Sequence, residues 1–174
     1  MIITVTAKPG ETTGQLTCGD HVFPCALGRT GLTSEKKEGD GATPIGTWPL
    51  RRLYFRADRL DPPTTDLPLF PIHPDDGWCD APQDPAYNTP VRHPYPASAE
   101  HLWRDDHLYD ITIVLGHNDA PPLPGAGSAI FFHLANQESP QLAPTEGCIA
   151  LRRADMETLL PFCSPQTQLQ ISLA

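Results

Sequence analysis

The sequence predicts a mostly β domain of the α+β class with two or three short helices, and three observations predict it. First, 21 Pro and 13 Gly among 174 residues punctuate the chain too often for a helical bundle and suit short strands joined by ordered turns. Second, the N-terminal stretch holds apolar runs of strand length separated by turn signals. Third, two uninterrupted apolar runs at 110–115 and 129–134 have the length of buried strands. With 39% hydrophobic residues, a chain of this size can bury one continuous core, and residues 1–174 read as a single domain.

Taken in order, residues 2–7, 14–18 and 21–27 are rich in Val, Ile, Leu and Thr and are separated by Gly10, Gly14 and Gly19-Asp20, which predicts hairpin-linked strands. Residues 28–48 are polar and Gly-rich. There, Lys36-Lys37-Glu38-Gly39-Asp40-Gly41 reads as an exposed loop, a place for function, leading to a strand at 48–55. Residues 57–97 hold many prolines, yet Trp78, Tyr87 and Tyr95 predict an ordered excursion and not a disordered linker. Residues 97–106 predict a short helix with Leu102 and Trp103 inward. After the two apolar strands, Met156, Leu159 and Leu160 fall at helical spacing before Pro161, and alternation over 168–173 predicts a last strand.

Composition excludes some functions. Twelve Lys and Arg against 21 Asp and Glu give a net charge of -9, which repels nucleic acid and anionic lipid alike. No apolar run approaches the length of a membrane span. The first residues lack the pattern of a signal peptide, so a cytoplasmic location is expected, or a periplasmic one if a native leader has been removed. The five cysteines, at 18, 25, 79, 148 and 163, are odd in number, irregular in spacing and without a Cys-x-x-Cys pair. Free thiols are expected in place of a disulfide framework or a zinc knuckle.

The chemistry gathers near the C-terminus. His133 ends an apolar strand, and 14 residues separate it from Cys148 in Thr145-Glu146-Gly147-Cys148-Ile149-Ala150-Leu151. A loop of that length, with Pro140 and Pro144, can leave one strand and return to its neighbour, setting imidazole beside thiol. A nearby imidazole lowers a thiol pKa and serves as its base. Gly147 lets the backbone turn sharply and aim the N–H groups of Gly147 and Cys148 at a tetrahedral oxyanion.

The run from His133 to Leu151 resembles the signature of the YkuD family of L,D-transpeptidases: a histidine, a loop, then Ser/Thr-His-Gly-Cys and an aliphatic residue. Two further stretches are similar to the cytoplasmic-type branch of that family. They are Glu38-Gly39-Asp40-Gly41-Ala42-Thr43-Pro44-Ile45-Gly46-Thr47, and Gly116-His117-Asn118-Asp119 through Gly125-Ala126-Gly127-Ser128-Ala129-Ile130. The resemblance implies a YkuD-like mixed β-sandwich and attack by Cys148 on the carbonyl of the third residue of a peptidoglycan stem peptide or muropeptide, with release of D-Ala. It assigns His133 as base and then acid, and the Leu134 carbonyl as the group that orients the imidazole. The acyl group passes to an amine, forming a crosslink, or to water. No metal or organic cofactor is required, and a carbapenem adduct on the cysteine is implied. Two positions depart from the pattern: Glu146 stands where the family has a second histidine, and Ala150 where an arginine is frequent. Glu146 would tend to raise the thiol pKa, and Arg152 or Arg153 is a candidate replacement cation.

Other residues have both functional and structural readings. Asn118, Asp119 and Ser128 line the cleft or form turns, with turns favoured for Asn-Asp before two prolines. Trp78 and Tyr87 wall the substrate or pin the excursion, with pinning favoured. Cys79 is a rival nucleophile without a strand histidine nearby. A zinc hydrolase using His101, His107, His117 or His133 lacks the His-x-x-x-His spacing, and a non-catalytic muropeptide-binding module would tolerate loss of Cys148. The expected function is a cysteine L,D-carboxypeptidase that trims stem tetrapeptides in recycling or precursor processing, with periplasmic L,D-crosslinking as the alternative.

Overall fold

The computed structural model describes residues 1–136 and 141–174. The strands are β1 (Ile2–Ala7), β2 (Thr13–Cys18), β3 (His21–Ala26), β4 (Leu32–Thr33), β5 (Thr43–Pro44), β6 (Gly46–Phe55) and β7 (Leu69–Pro71). They continue as β8 (Asp76–Cys79), β9 (Pro90–Arg92), β10 (Ala99–His101), β11 (Ile111–Leu115), β12 (Phe131–Leu134), β13 (Ile149–Leu151) and β14 (Gln168–Leu173). One helix, α1 (Arg153–Leu159), runs into a 3-10 turn at Leu160–Phe162.

Nine strands form one sheet in the order β11-β12-β13-β3-β2-β1-β14-β6-β7, and a further pairing of β11 with β6 closes it on itself. Closure leaves few free edges. The long β6 makes this possible: its first half pairs β14, and its second half pairs β11 on one side and β7 on the other. Alternate residues face inward, as the pleat demands. Ile3, Val5, Leu16, Leu53, Phe132 and Ile149 meet in the enclosed core, and α1 adds Met156 and Leu159.

The excursion is ordered, as its aromatics predict. It supplies a second sheet, β10-β8-β9, whose Trp78 joins Leu102, Tyr109 and Phe131 in a separate apolar cluster against the outer face of β11 and β12. Arg56 and Arg59 tie the return of this layer to the barrel. Arg56 lies 3.6 Å over the Trp103 ring and donates to the Arg104 carbonyl at 2.6 Å, and Arg59 donates to the Asp106 carbonyl at 2.7 Å.

The helix expected over 97–106 is not formed. Ala99, Glu100 and His101 pair antiparallel with Cys79, Trp78 and Gly77, because a neighbouring strand completes their backbone hydrogen bonds better than a short isolated helix could. Leu102 is nonetheless buried and Trp103 packs against the same cluster. Among the described residues, a single α-helix therefore stands where two or three short helices were expected.

Candidate active site

Strands β12 and β13 run parallel, with Phe132 opposite Ile149 and His133 opposite Ala150. The period of two sends Phe132, Leu134, Ile149 and Leu151 into the core, and hence Phe131, His133, Cys148 and Ala150 to the outer face. His133 and Cys148 are 5% and 8% exposed and border one cleft of about 390 Å³. Pro144 lies on its rim, while Pro140 falls outside the described residues.

Backbone geometry fixes the cysteine. Gly147 has φ +136°, and a Cβ there would come within 2.8 Å of the Ala42 carbonyl, so a side chain is excluded. Its N–H donates to Thr145 Oγ1 at 3.1 Å, and that hydroxyl donates to the Cys148 carbonyl at 2.6 Å. The Gly147 amide is thus engaged in the turn and is not free to form the expected oxyanion site.

The thiol itself is held twice. Cys148 Sγ accepts from the Phe131 N–H at 3.3 Å and donates to the Ala129 carbonyl at 3.3 Å. Ala129 has φ +50°, a left-handed conformation disfavoured for alanine. Asn88 holds it there: Oδ1 accepts from the Ala129 N–H at 3.0 Å and from Trp78 Nε1 at 2.9 Å, while Nδ2 donates to the Asn118 carbonyl at 2.7 Å.

His133 Nδ1 donates to the Leu134 carbonyl at 2.8 Å, which sets the tautomer and leaves Nε2 as the basic nitrogen. Its ring meets Tyr109 edge-on, with centroids 5.1 Å apart. Burial pushes the imidazole pKa down to about 4. Burial, reinforced by Glu100, pushes the Cys148 thiol up to about 12 against the Phe131 N–H and Lys36. The sequence-based expectation of an imidazole-lowered thiol pKa is therefore reversed: desolvation outweighs the favourable contacts, and the resting pair is neutral thiol and neutral imidazole.

Lys36 is the cation that sequence reasoning missed. Its side chain is 7% exposed, and its ammonium is ion-paired with Asp40. The ammonium lies 3.5 Å from where a Gly147 Cβ would sit. It thus stands beside the cysteine in the role considered for Arg152 or Arg153. Arg153 instead binds Asp110 at 2.9 Å, and neither arginine is among the described residues bordering the cleft. Glu146 is largely exposed and paired with Arg29 at 2.9 Å, which offsets its charge near the thiol.

The remaining expected residues separate. Ser128 borders the cleft and donates to Glu38 Oε2 at 2.7 Å, and Tyr87 donates to the same oxygen. Asn118 forms a turn, donating to the Leu123 and Gly127 carbonyls at 3.0 and 2.9 Å, and does not border the cleft. Trp78 is also withdrawn from it, edge-on to Phe131 at 5.2 Å. Cys79 is fully buried and is not among the residues bordering the cleft, and all five thiols are buried and free of disulfides. Among the described residues, no three or more His, Cys, Asp or Glu side chains gather as a metal-binding group. Asp80, Glu100, Arg104 and Tyr109 complete the cleft. They come from the excursion and its return, where no motif or period pointed to them.

The family profile of YkuD, the L,D-transpeptidase catalytic domain, matches residues 14–171, and the chain belongs to this family. It is an enzyme of the L,D-transpeptidase family, whose members act on peptidoglycan peptides. Comparison with curated proteins and with solved structures found no match.

Proposed function

We propose that the domain is a cysteine acyl-transfer enzyme that removes the terminal D-Ala of a stem tetrapeptide and passes the acyl group to water. The observation that carries this reading is the shared placement of Cys148 and His133 on one sheet face at one cleft, with Nδ1 held by Leu134 and Nε2 left basic. As Sγ attacks the carbonyl of the third residue, its proton passes to His133 Nε2. The tetrahedral intermediate collapses with cleavage of the C–N bond, and the imidazolium returns the proton to the departing D-Ala amine. Water then attacks the thioester, His133 takes its proton, and the thiolate leaves and is reprotonated. The Cys148 N–H and the Lys36 ammonium serve the oxyanion, since the Gly147 amide is engaged elsewhere.

The cleft of about 390 Å³ is the size of a small-molecule site and gives room for a peptide end at Cys148. The amine-acceptor reading, crosslinking, shares every step up to the thioester. Incubating enzyme and tetrapeptide with excess D-amino acid separates them: free tripeptide is expected, whereas exchange at the fourth position without tripeptide would contradict the hydrolytic reading. Carbapenem acylation of Cys148 belongs to the same proposal, and so does action in the cytoplasm on recycled or precursor muropeptides.

A further inference from the structure

Thr112 is a polar residue inside the apolar strand β11, and its neighbours fix where its side chain stands. Ile111, Ile113 and Leu115 belong to the enclosed core, so the pleat turns Thr112 to the outer face. There it lies in one row across the sheet, with Tyr54 of β6 on one side and His133 of β12, then Ala150 of β13, on the other. Thr112 and His133 are direct antiparallel partners, a relation that sets Cβ atoms about 4.5–5.5 Å apart. Thr112 is 1% exposed, and among the described residues its hydroxyl is hydrogen-bonded to nothing. A buried hydroxyl without a partner costs free energy that a valine of the same shape would avoid. The group it adjoins is the one that changes charge in the proposed acyl transfer.

We infer that Thr112 is a positioning residue for His133, a rotatable dipole whose oxygen turns toward the ring while His133 holds the proton taken from Cys148. The inference rests on the proposed acyl transfer. The other surroundings of the ring leave this need open. Nδ1 donates to the Leu134 carbonyl, Tyr109 meets the ring edge-on, and Ala150 on the far flank is apolar. Among the charged groups, Arg104 opposes a positive charge on the ring and Asp106 favours it. These two are paired with each other at 2.6 Å, so their effects largely cancel. Glu100 is held by the Tyr109 hydroxyl, and Lys36 stands beside Gly147 on the side of the cysteine. A hydroxyl that has no bond in the resting enzyme can reorient without breaking one, so its dipole is ready when the imidazolium forms.

Two substitutions separate this role from a structural one. Thr112→Val keeps the shape and removes the hydroxyl, and its melting temperature is expected to equal or exceed that of wild type. Its kcat for D-Ala release from a stem tetrapeptide is expected to fall roughly three- to thirtyfold with KM unchanged, the scale of one hydrogen bond to a charge. Thr112→Ser keeps the hydroxyl and loses a methyl group. It is expected to melt lower and to recover most of kcat. NMR of the His133 ring in the folded proteins reads the same coupling without turnover. At a pH near 4, where burial places the imidazole pKa, the imidazolium fraction is expected to drop roughly two- to fivefold in Thr112→Val and to stay near wild type in Thr112→Ser. That drop, seen in a protein whose wild type releases no D-Ala, would contradict the acyl transfer and still support the coupling of Thr112 to His133. An unchanged imidazolium fraction in Thr112→Val, an unchanged kcat in an active enzyme, or losses of kcat that follow stability in both variants would overturn the inference.

Discussion

At Cys148 and His133, two groups expected to activate one another by proximity are both held neutral by burial, with pKa values near 12 and 4. The proton therefore moves during attack and not before it. Alkylation of Cys148 by iodoacetamide is expected to climb with pH beyond 9 without an earlier plateau, because the thiolate alone reacts. A plateau below pH 8 would show a preformed thiolate–imidazolium pair. The sign for His133 follows the same logic: with its pKa lowered, it stays an unprotonated base from neutral pH down to about 4, and the His133-dependent acid limb of kcat/KM lies well below the ordinary histidine value. Lys36 makes a second prediction at this scale. Lys36→Met removes the ammonium beside Gly147 and is expected to lower kcat by roughly ten- to a hundredfold with KM little changed, as loss of an oxyanion partner does. An equal loss carried by KM would mean that Lys36 binds substrate instead.

At the level of elements, the site depends on a segment remote in sequence. Asn88, between β8 and β9, satisfies the Ala129 N–H and the Trp78 indole and ties the 117–118 backbone, and Ala129 in turn accepts from the thiol. Asn88→Ala leaves buried donors unpaired, which costs about 1–3 kcal/mol, and frees Ala129 to leave its left-handed conformation. Reduced thermal stability with a larger fall in kcat than rise in KM is expected. Unchanged kcat in a destabilised protein would confine Asn88 to structure. The strand that carries His133 was legible in the sequence because an uninterrupted apolar run is the signature of a strand buried on both faces, whereas β13, three residues long, is too short to show such a run. Asn88 was not legible, since a single polar residue among prolines declares neither its φ-restraining role nor its partner 41 positions away. The segment 97–106 misled for a related reason: local preference suggested helix, and pairing with β8 decided strand.

The whole molecule joins two layers: a closed sheet that presents the cysteine and histidine on its outer face, and an excursion that covers this face and makes it a cleft. The Thr-Glu-Gly-Cys run and its upstream histidine were readable because the chemistry leaves a compact local pattern. The cleft's charges were not, because Lys36, Asp80 and Glu100 come from three separate segments that only the tertiary fold brings together. Lys36-Lys37 resembles any solvated basic pair until Asp40 is seen to hold it. That the two layers form one acylation site is the central claim, and mass spectrometry of the intact protein with a stem tetrapeptide tests it most directly. Release of D-Ala together with a peptidyl adduct mapped to Cys148, both absent in a folded Cys148→Ala protein, is the predicted result; release that persists in Cys148→Ala, or an adduct on another residue, would contradict it.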